Sequence, residues 1–519
     1  MTWWRRWPRL ASAAPALAVT ALSLVLHLWK LGLRPLAHDE AIDAWFSWQA
    51  RDLAVMRYDP VYHGPLRFYL EGAVLDTLGT GAAHARLVAA LAGVAATAVI
   101  ATSTRLLGRV GAPVAAVLFT ISPTILTVTR TGREDSLVGL VSLGLLLAVA
   151  HALTEPRPRH LVVAGGLLAV SFTIKETTFL FGLVALVFFL GAGMVALVRP
   201  RSASRAAVGR LGALGAQPWI WSFMAFATVF MVVFTSGFRY AEGLESGLTD
   251  GVRYWWSQQD VGRGGQPWFF YLAVYAAYEW LLLAVAAVGL VVTVRRRSLV
   301  GAWFATMAVG QVLVYAWAGE KFAWLALHPL IPLTLLAGLG AQAVFERLRH
   351  RRVALTGLAA ATAVLAVLTL VVAVPPAITR GADPRELLVT VQTSVDLPPV
   401  AARLRDAVEA GTIDAIVVDQ SGGGSWPWAW YLHGVEGVAY ANLDQSDLPL
   451  EADAIIVLAY ENPPEVPAGY QVERFRLREW WVPDYANATA GDLLTWFLTR
   501  ETWSPTASSD QFLITRRPL

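Results

Sequence analysis

Pro65-Leu66-Arg67-Phe68-Tyr69-Leu70-Glu71-Gly72-Ala73-Val74-Leu75-Asp76-Thr77-Leu78-Gly79 is the stretch on which the topology turns. It is apolar enough to be taken for a membrane span, yet it is short and carries Arg67, Glu71 and Asp76. A helix needs ~20 apolar residues to cross a ~30 Å hydrocarbon core. Eleven other segments meet that need more plainly: 11–31, 84–104, 112–129, 135–154, 160–174, 176–198, 218–236, 268–293, 299–317, 323–344 and 353–374. Loop charge decides the case. With 65–79 laid along the surface, one side receives Arg5, Arg6 and Arg9, then Arg105 and Arg109, Arg157 and Arg159, the arginines from 199 to 210, Arg295 to Arg297 and Arg347 to Arg352. That is the positive-inside pattern. If 65–79 crossed, every later cluster would face away from the N-terminus. The expectation is eleven spans, juxtamembrane helices over 41–79, a retained first span and a cytoplasmic N-terminus in the plasma membrane.

Composition agrees. The 519 residues are 56% hydrophobic and 15% charged, where soluble domains carry about 25% charged residues. The net charge of +3 hides a split: residues 376–519 hold 20 acids and 10 arginines, and residues 1–375 hold 18 acids and 31 basic residues. Two domains in different surroundings follow, a transmembrane domain over 1–375 and a soluble domain over 376–519. The basic excess belongs to membrane-flanking loops and gives no reason to invoke nucleic acid. With no cysteine, disulfides and thiolate metal sites are excluded. In the C-terminal part Asp414–Asp419 and Asp453–Leu458 read as buried strands, 396–411 and 490–499 as helices, and Phe512–Arg516 as a closing strand, a small α/β domain. An odd number of spans places it outside the cell.

The outer side collects a different kind of sequence. His38-Asp39-Glu40 follows the first span, ahead of an amphipathic stretch with Trp45, Phe46 and Trp48; then come Tyr62-His63-Gly64-Pro65, Arg130-Thr-Gly-Arg133-Glu134-Asp135, Lys175-Glu176, the loop 237–267 and Gly319-Glu320-Lys321. The three lysines of the chain, Lys30, Lys175 and Lys321, all fall at outer ends of spans. Snorkelling explains one such lysine well; all three beside the acids point to an anionic ligand. Asp39 and Glu40 read equally as the N-cap region of the following helix or as a base for a hydroxyl group. The second acid cluster, with cations around it, favours chemistry: an acid for an acceptor and cations for a phosphate leaving group. Arg253, Arg263 and Trp255 to Gln259 are further ligand-lining candidates. The Trp426-Pro-Trp-Ala-Trp430 cluster reads as domain core or as a sugar-stacking surface, and Glu279 within a span as a structural partner.

Taken in order, Asp39-Glu40, the aromatic amphipathic helix, His63-Gly-Pro-Leu66 and Arg133-Glu-Asp135 resemble the GT-C glycosyltransferases. Within them they look like the branch of protein O-mannosyltransferases and the lipid A aminoarabinose transferase. Gln266-Pro-Trp-Phe-Phe-Tyr271, Gly319-Glu-Lys-Phe-Ala-Trp324 with His328, and the tryptophan cluster are similar to an archaeal and bacterial subfamily described as flippase-activity-associated. The resemblance implies a sugar donor carried on a polyprenyl phosphate and a hydroxyl acceptor on protein, lipid or glycan. It places Asp39 at the catalytic acid/base position with Glu40 beside it, and Asp135 at the second acidic position. Lys175 becomes a phosphate contact, and His63, Arg130, Arg133, Glu134, Glu176, Arg263, Glu320 and Lys321 line the substrate. His63 stands where the aminoarabinose transferase pattern has a lysine. The reaction expected is inverting transfer, with a divalent metal, Mg or Mn, left open by the two acid clusters. The alternative from another class is a non-catalytic membrane partner of lipid-linked oligosaccharide translocation.

Overall fold

The computed structural model describes residues 7–516 apart from 260 and 461, with the side chains of 7–12 left out. Arg5, Arg6 and the Arg9 side chain therefore lie outside the described residues. Each of the eleven expected segments holds a helix. Among the described residues seven helices are long and apolar enough to cross a membrane alone, and two bent pairs raise the number to nine. The helical stretches Ala13–Leu28 and Pro158–Phe172 are apolar but shorter. The protein is thus a multi-pass membrane protein.

Two expected straight spans are broken. Gly111–Ile121 and Pro123–Thr129 meet at 66°, and Phe270–Tyr278 and Trp280–Arg296 at 103°. Pro123 explains the first, since proline ends the helix before it and starts a new one. At the second, Glu279 sits in the break and reaches back to the first: its Oε1 accepts from the Ser122 hydroxyl at 2.7 Å and the Thr124 N–H at 2.9 Å. Glu279 thus has the structural partner expected of it. One carboxylate satisfies the helix start exposed by the other break, a requirement in lipid, where water cannot.

The stretch 65–79 forms the helix Leu66–Leu78, ~20 Å long at 1.5 Å per residue and so short of the hydrocarbon core. It packs along the helix His38–Gln49. Gly72 allows that approach, because a Cβ there would stand 2.6 Å from the Ser47 carbonyl oxygen.

The C-terminal part is built on one sheet of six strands: β1 (Gln392–Thr393), β2 (Ile416–Asp419), β3 (Val438–Ala441), β4 (Ala454–Leu458), β5 (Gln471–Trp480) and β6 (Ala507–Thr515). The order is β1-β5-β6-β4-β2-β3, with β3, β2 and β4 parallel and the remaining pairs antiparallel. The expected strands are present as β2, β4 and β6, and the expected helices as Leu397–Glu409 and Ala490–Thr499. The tryptophan cluster divides its work. Trp428 is core, donating to Gln511 Oε1 at 2.7 Å, whereas Trp430 packs with Leu36, Ala41 and Ala44 of the first outer loop. With Gln392 bonded to Arg34 (2.9 Å) and the Pro35 carbonyl (3.1 Å), it seats the sheet domain over that loop.

Candidate active site

Beneath that seat lies a cavity of about 320 Å³. The helix His38–Gln49 sends in His38, Asp39 and Asp43; the loops carry His63, Arg133, Lys175, Arg263 and Glu320; Tyr254, Trp255, Gln258, Phe322 and Trp324 add aromatic and amide surface. A smaller space of about 40 Å³ adjoins it, sharing Asp39, Arg133 and Trp324 and walled by Arg34, Glu40, Thr131 and Leu388 to Thr390.

Asp39 keeps a third of its side chain exposed and meets Arg133 Nη1 at 3.4 Å. It is a carboxylate held in place with room for a ligand. Glu40, one position on, points the other way. It is buried and accepts from Arg86 Nε and Nη2, both at 2.8 Å, from Arg34 at 3.1 Å, and from the N–H groups of Ala37 and Gly132 at 2.8 and 2.6 Å. Burial alone would raise its pKa; Arg34 and Arg86 outweigh that and hold it at about 2. So weak a base, with its lone pairs committed, is structural, and the expectation of a catalytic Glu40 is corrected. The bond to Ala37 is part of the helix-start role left open by the sequence.

The second acid cluster is buried ion-pair masonry. Glu134 meets Arg133 at 3.0 Å, Lys175 at 2.6 Å, His63 at 3.3 Å and Arg67 at 3.4 Å. Asp135 takes Lys175 at 2.9 Å through each oxygen and His328 Nε2 at 2.9 Å. Asp135 is fully buried and absent from the lining of both cavities, so it does not share Asp39's space. Arg130 is likewise no ligand contact: its guanidinium donates to the carbonyls of Leu26, His27, Trp29, Lys30 and Ala377. Glu176 is buried on Tyr58 (2.6 Å) and His63 (2.7 Å). Lys175 reaches the cavity wall, but its ammonium is spent on Glu134 and Asp135.

A cation with more freedom stands at the rim. Arg263 is exposed at the cavity rim with no carboxylate within ion-pair distance among the described residues. Lys321, expected to line the substrate, is largely buried and absent from the lining of both cavities; its Nζ donates to the Ala318 carbonyl at 2.5 Å and its backbone N–H to the Arg263 carbonyl at 3.0 Å. Arg253 leans toward Asp250 at 3.7 Å, away from the cavity.

His63 is an imidazolium by position, since both ring nitrogens face carboxylates. Burial would lower its pKa, but Glu134 and Glu176 together raise it above 6.5. A raised pKa contributes stability that is full below the unfolded value and lost as pH climbs through the folded one. The stability gap between wild type and His63→Gln should therefore narrow between pH 6 and pH 9, read as melting temperature in detergent. The segment is pinned besides: the Gly64 and Leu66 N–H groups donate to the carbonyls of Ile174 and Thr173, both at 3.0 Å.

Sequence reasoning missed His38, Asp43, Phe322 and Trp324 as lining residues, and Arg34, Arg67 and Arg86 as supports. Asp43 accepts from Arg67 at 2.6 Å and Arg133 at 3.0 Å. Trp324 lies under the Arg133 guanidinium at 4.8 Å and stacks with Phe322 at 4.5 Å. Both aromatics stood in the quoted Gly319–Trp324 motif. Among the described residues no group of three or more histidine and acid side chains is arranged for a metal ion. Asp39, Asp43, Glu134 and Asp135 are bound to arginine and lysine instead.

Residues 62–221 match the family model for dolichyl-phosphate-mannose-protein mannosyltransferase, a stretch that contains His63 through Glu176 of the site and stops short of Asp39. No curated protein matches the chain. Among solved structures, ArnT from Cupriavidus metallidurans bound to undecaprenyl phosphate aligns over 97% of this chain and 98% of its own, with a TM-score of 0.58 at 16% identity. The chain has the GT-C fold. The apo oligosaccharyltransferase of Archaeoglobus fulgidus shares it, with a TM-score of 0.53 at 13% identity over 87% of this chain and 66% of its own. The alignment with ArnT takes in the sheet domain as well as the helices.

Proposed function

We propose that this GT-C protein is a membrane glycosyltransferase that moves a sugar from a polyprenyl-phosphate carrier to a hydroxyl acceptor at the outer membrane face. The observation that carries the reading is Asp39: a cavity-facing carboxylate, partly exposed and touched by one guanidinium, on the same helix as Asp43, which is locked into a buried pair. The acceptor hydroxyl gives its proton to Asp39 as its oxygen attacks the anomeric carbon. The bond from that carbon to the phosphate oxygen breaks, its electron pair leaves on the lipid phosphate, and the configuration inverts. The loop arginines on the opposite face support a cytoplasmic N-terminus and an external sheet domain.

Phosphate recognition falls to Arg263, which has no carboxylate partner among the described residues, and to Arg133, both in the cavity lining. Lys175 is relieved of that role by Glu134 and Asp135. A charge-assisted hydrogen bond is worth ~1.5–3 kcal/mol, so Arg263→Ala should weaken undecaprenyl phosphate binding by ~10–100-fold, measured as quenching of tryptophan fluorescence. Wild-type protein that neither binds undecaprenyl phosphate nor releases sugar from a polyprenyl-phosphate donor would overturn the transferase reading and leave the translocation partner standing.

A further inference from the structure

Arg478 stands on β5 of the sheet domain, 440 positions along the chain from His38, yet its Nη1 lies 3.2 Å from His38 Nδ1. A guanidinium donates and never accepts. The Nδ1 atom must therefore be the acceptor, which makes the imidazole neutral with its proton on Nε2. Arg478 Nη2 also reaches the Gly422 carbonyl at 3.4 Å. Gly423, at φ +75°, would bring a Cβ to 3.9 Å from both Arg478 Nη1 and His38 Cε1. The glycine turn after β2 thus closes over the pair. His38 itself lines the transfer cavity next to Asp39.

We infer that Arg478 is a positioning residue of the transfer site, holding His38 uncharged beside Asp39 so that the Asp39 carboxylate stays free to act as a base. The inference rests on the transferase reading given above. A protonated His38 would pair with Asp39 and draw off its basicity; a guanidinium already bonded to Nδ1 forbids that proton. The charged groups facing the ring are Asp39 on its own helix, Arg133 from the loop at the second acid cluster and Arg478 from β5, with the Trp426 carbonyl beside them. Burial lowers the pKa of His38 most, Asp39 opposes it, and the two arginines help bring it to about 4. Docking of the sheet domain is on this account an electrostatic part of the site as well as a roof.

The test uses the full-length chain in detergent with ring-labelled histidine, the His38 signal being assigned by its loss in His38→Asn. In wild type His38 should stay neutral down to pH 5. In Arg478→Ala its pKa should rise toward the ordinary value of ~6.5, and Arg478→Lys should restore most of the wild-type behaviour. Transfer by Arg478→Ala should fall about fourfold at pH 6, where a group of pKa ~6.5 is about three-quarters protonated, and stay near wild type at pH 8, with undecaprenyl phosphate binding unchanged. An unchanged His38 titration, or an equal loss at both pH values, would overturn the assignment. Wild type without transfer activity defeats the transferase reading, and the histidine titration still decides the Arg478 contact.

Discussion

Asp39→Asn should lower sugar transfer by ~10²–10⁴-fold, the contribution typical of a general base, while undecaprenyl phosphate binding and melting temperature stay near wild type. The amide keeps the size of the carboxylate and accepts from Arg133 through its oxygen, but it cannot take a proton. Asp39 makes one long contact, 3.4 Å to Arg133, so little of the fold depends on its charge. Single-turnover release of sugar from a polyprenyl-phosphate donor, with and without a hydroxyl acceptor, separates loss of the base from loss of donor. An Asp39→Asn protein that transfers at the wild-type rate would remove Asp39 from the chemistry.

Lys175→Ala should act on the fold instead. Its ammonium is the point where Glu134 (2.6 Å) and Asp135 (2.9 Å) meet, all three buried. Removing one partner of a buried pair costs ~3–5 kcal/mol, because the charge left behind has neither water nor counter-ion. The variant should melt well below wild type in detergent, with donor binding lost only in proportion to unfolded protein. Arg263→Ala, which strands no carboxylate among the described residues, should show the reverse: unchanged melting and weaker binding. If the two variants exchanged these phenotypes, the division between supporting and ligand-contacting cations would be wrong.

Much of the architecture could be read from local signals. Apolar length located all eleven helical segments, and the parity of loop arginines kept Leu66–Leu78 out of the span count. The breaks at Ser122 and Glu279 escaped because apolar composition does not register a bend; the proline at 123 was the cue for the first. In the sheet domain the buried strands β2 and β4 announced themselves as apolar runs. Strand β5, exposed over much of its length, with only Phe475 and Leu477 buried between Arg474, Arg476 and Arg478, forms no apolar run and did not.

The site was legible as a set of charges and illegible as a division of labour. Asp39 and Glu40 are adjacent and chemically alike, and only the fold shows that Arg34 and Arg86 claim Glu40. Lys175 and Lys321 occupy similar places in sequence, yet Lys175 meets acids 40 and 41 positions away, Asp135 and Glu134. Which charge is neutralised by which is a long-range fact, and spacing along the chain does not encode it.

The carboxylate that joins the two broken spans also bears on how the protein is made. The backbone N–H at Thr124 and the glutamate that accepts from it lie 155 positions apart. At synthesis rates of about 5–20 residues per second, the Thr124 segment waits ~8–30 s for that partner. Until then the start of Pro123–Thr129 must borrow a substitute from the translocation machinery, from water or from a neighbouring helix. Insertion of the early bent span is thus provisional, and a nascent chain halted before Glu279 should leave it open to a quality-control protease.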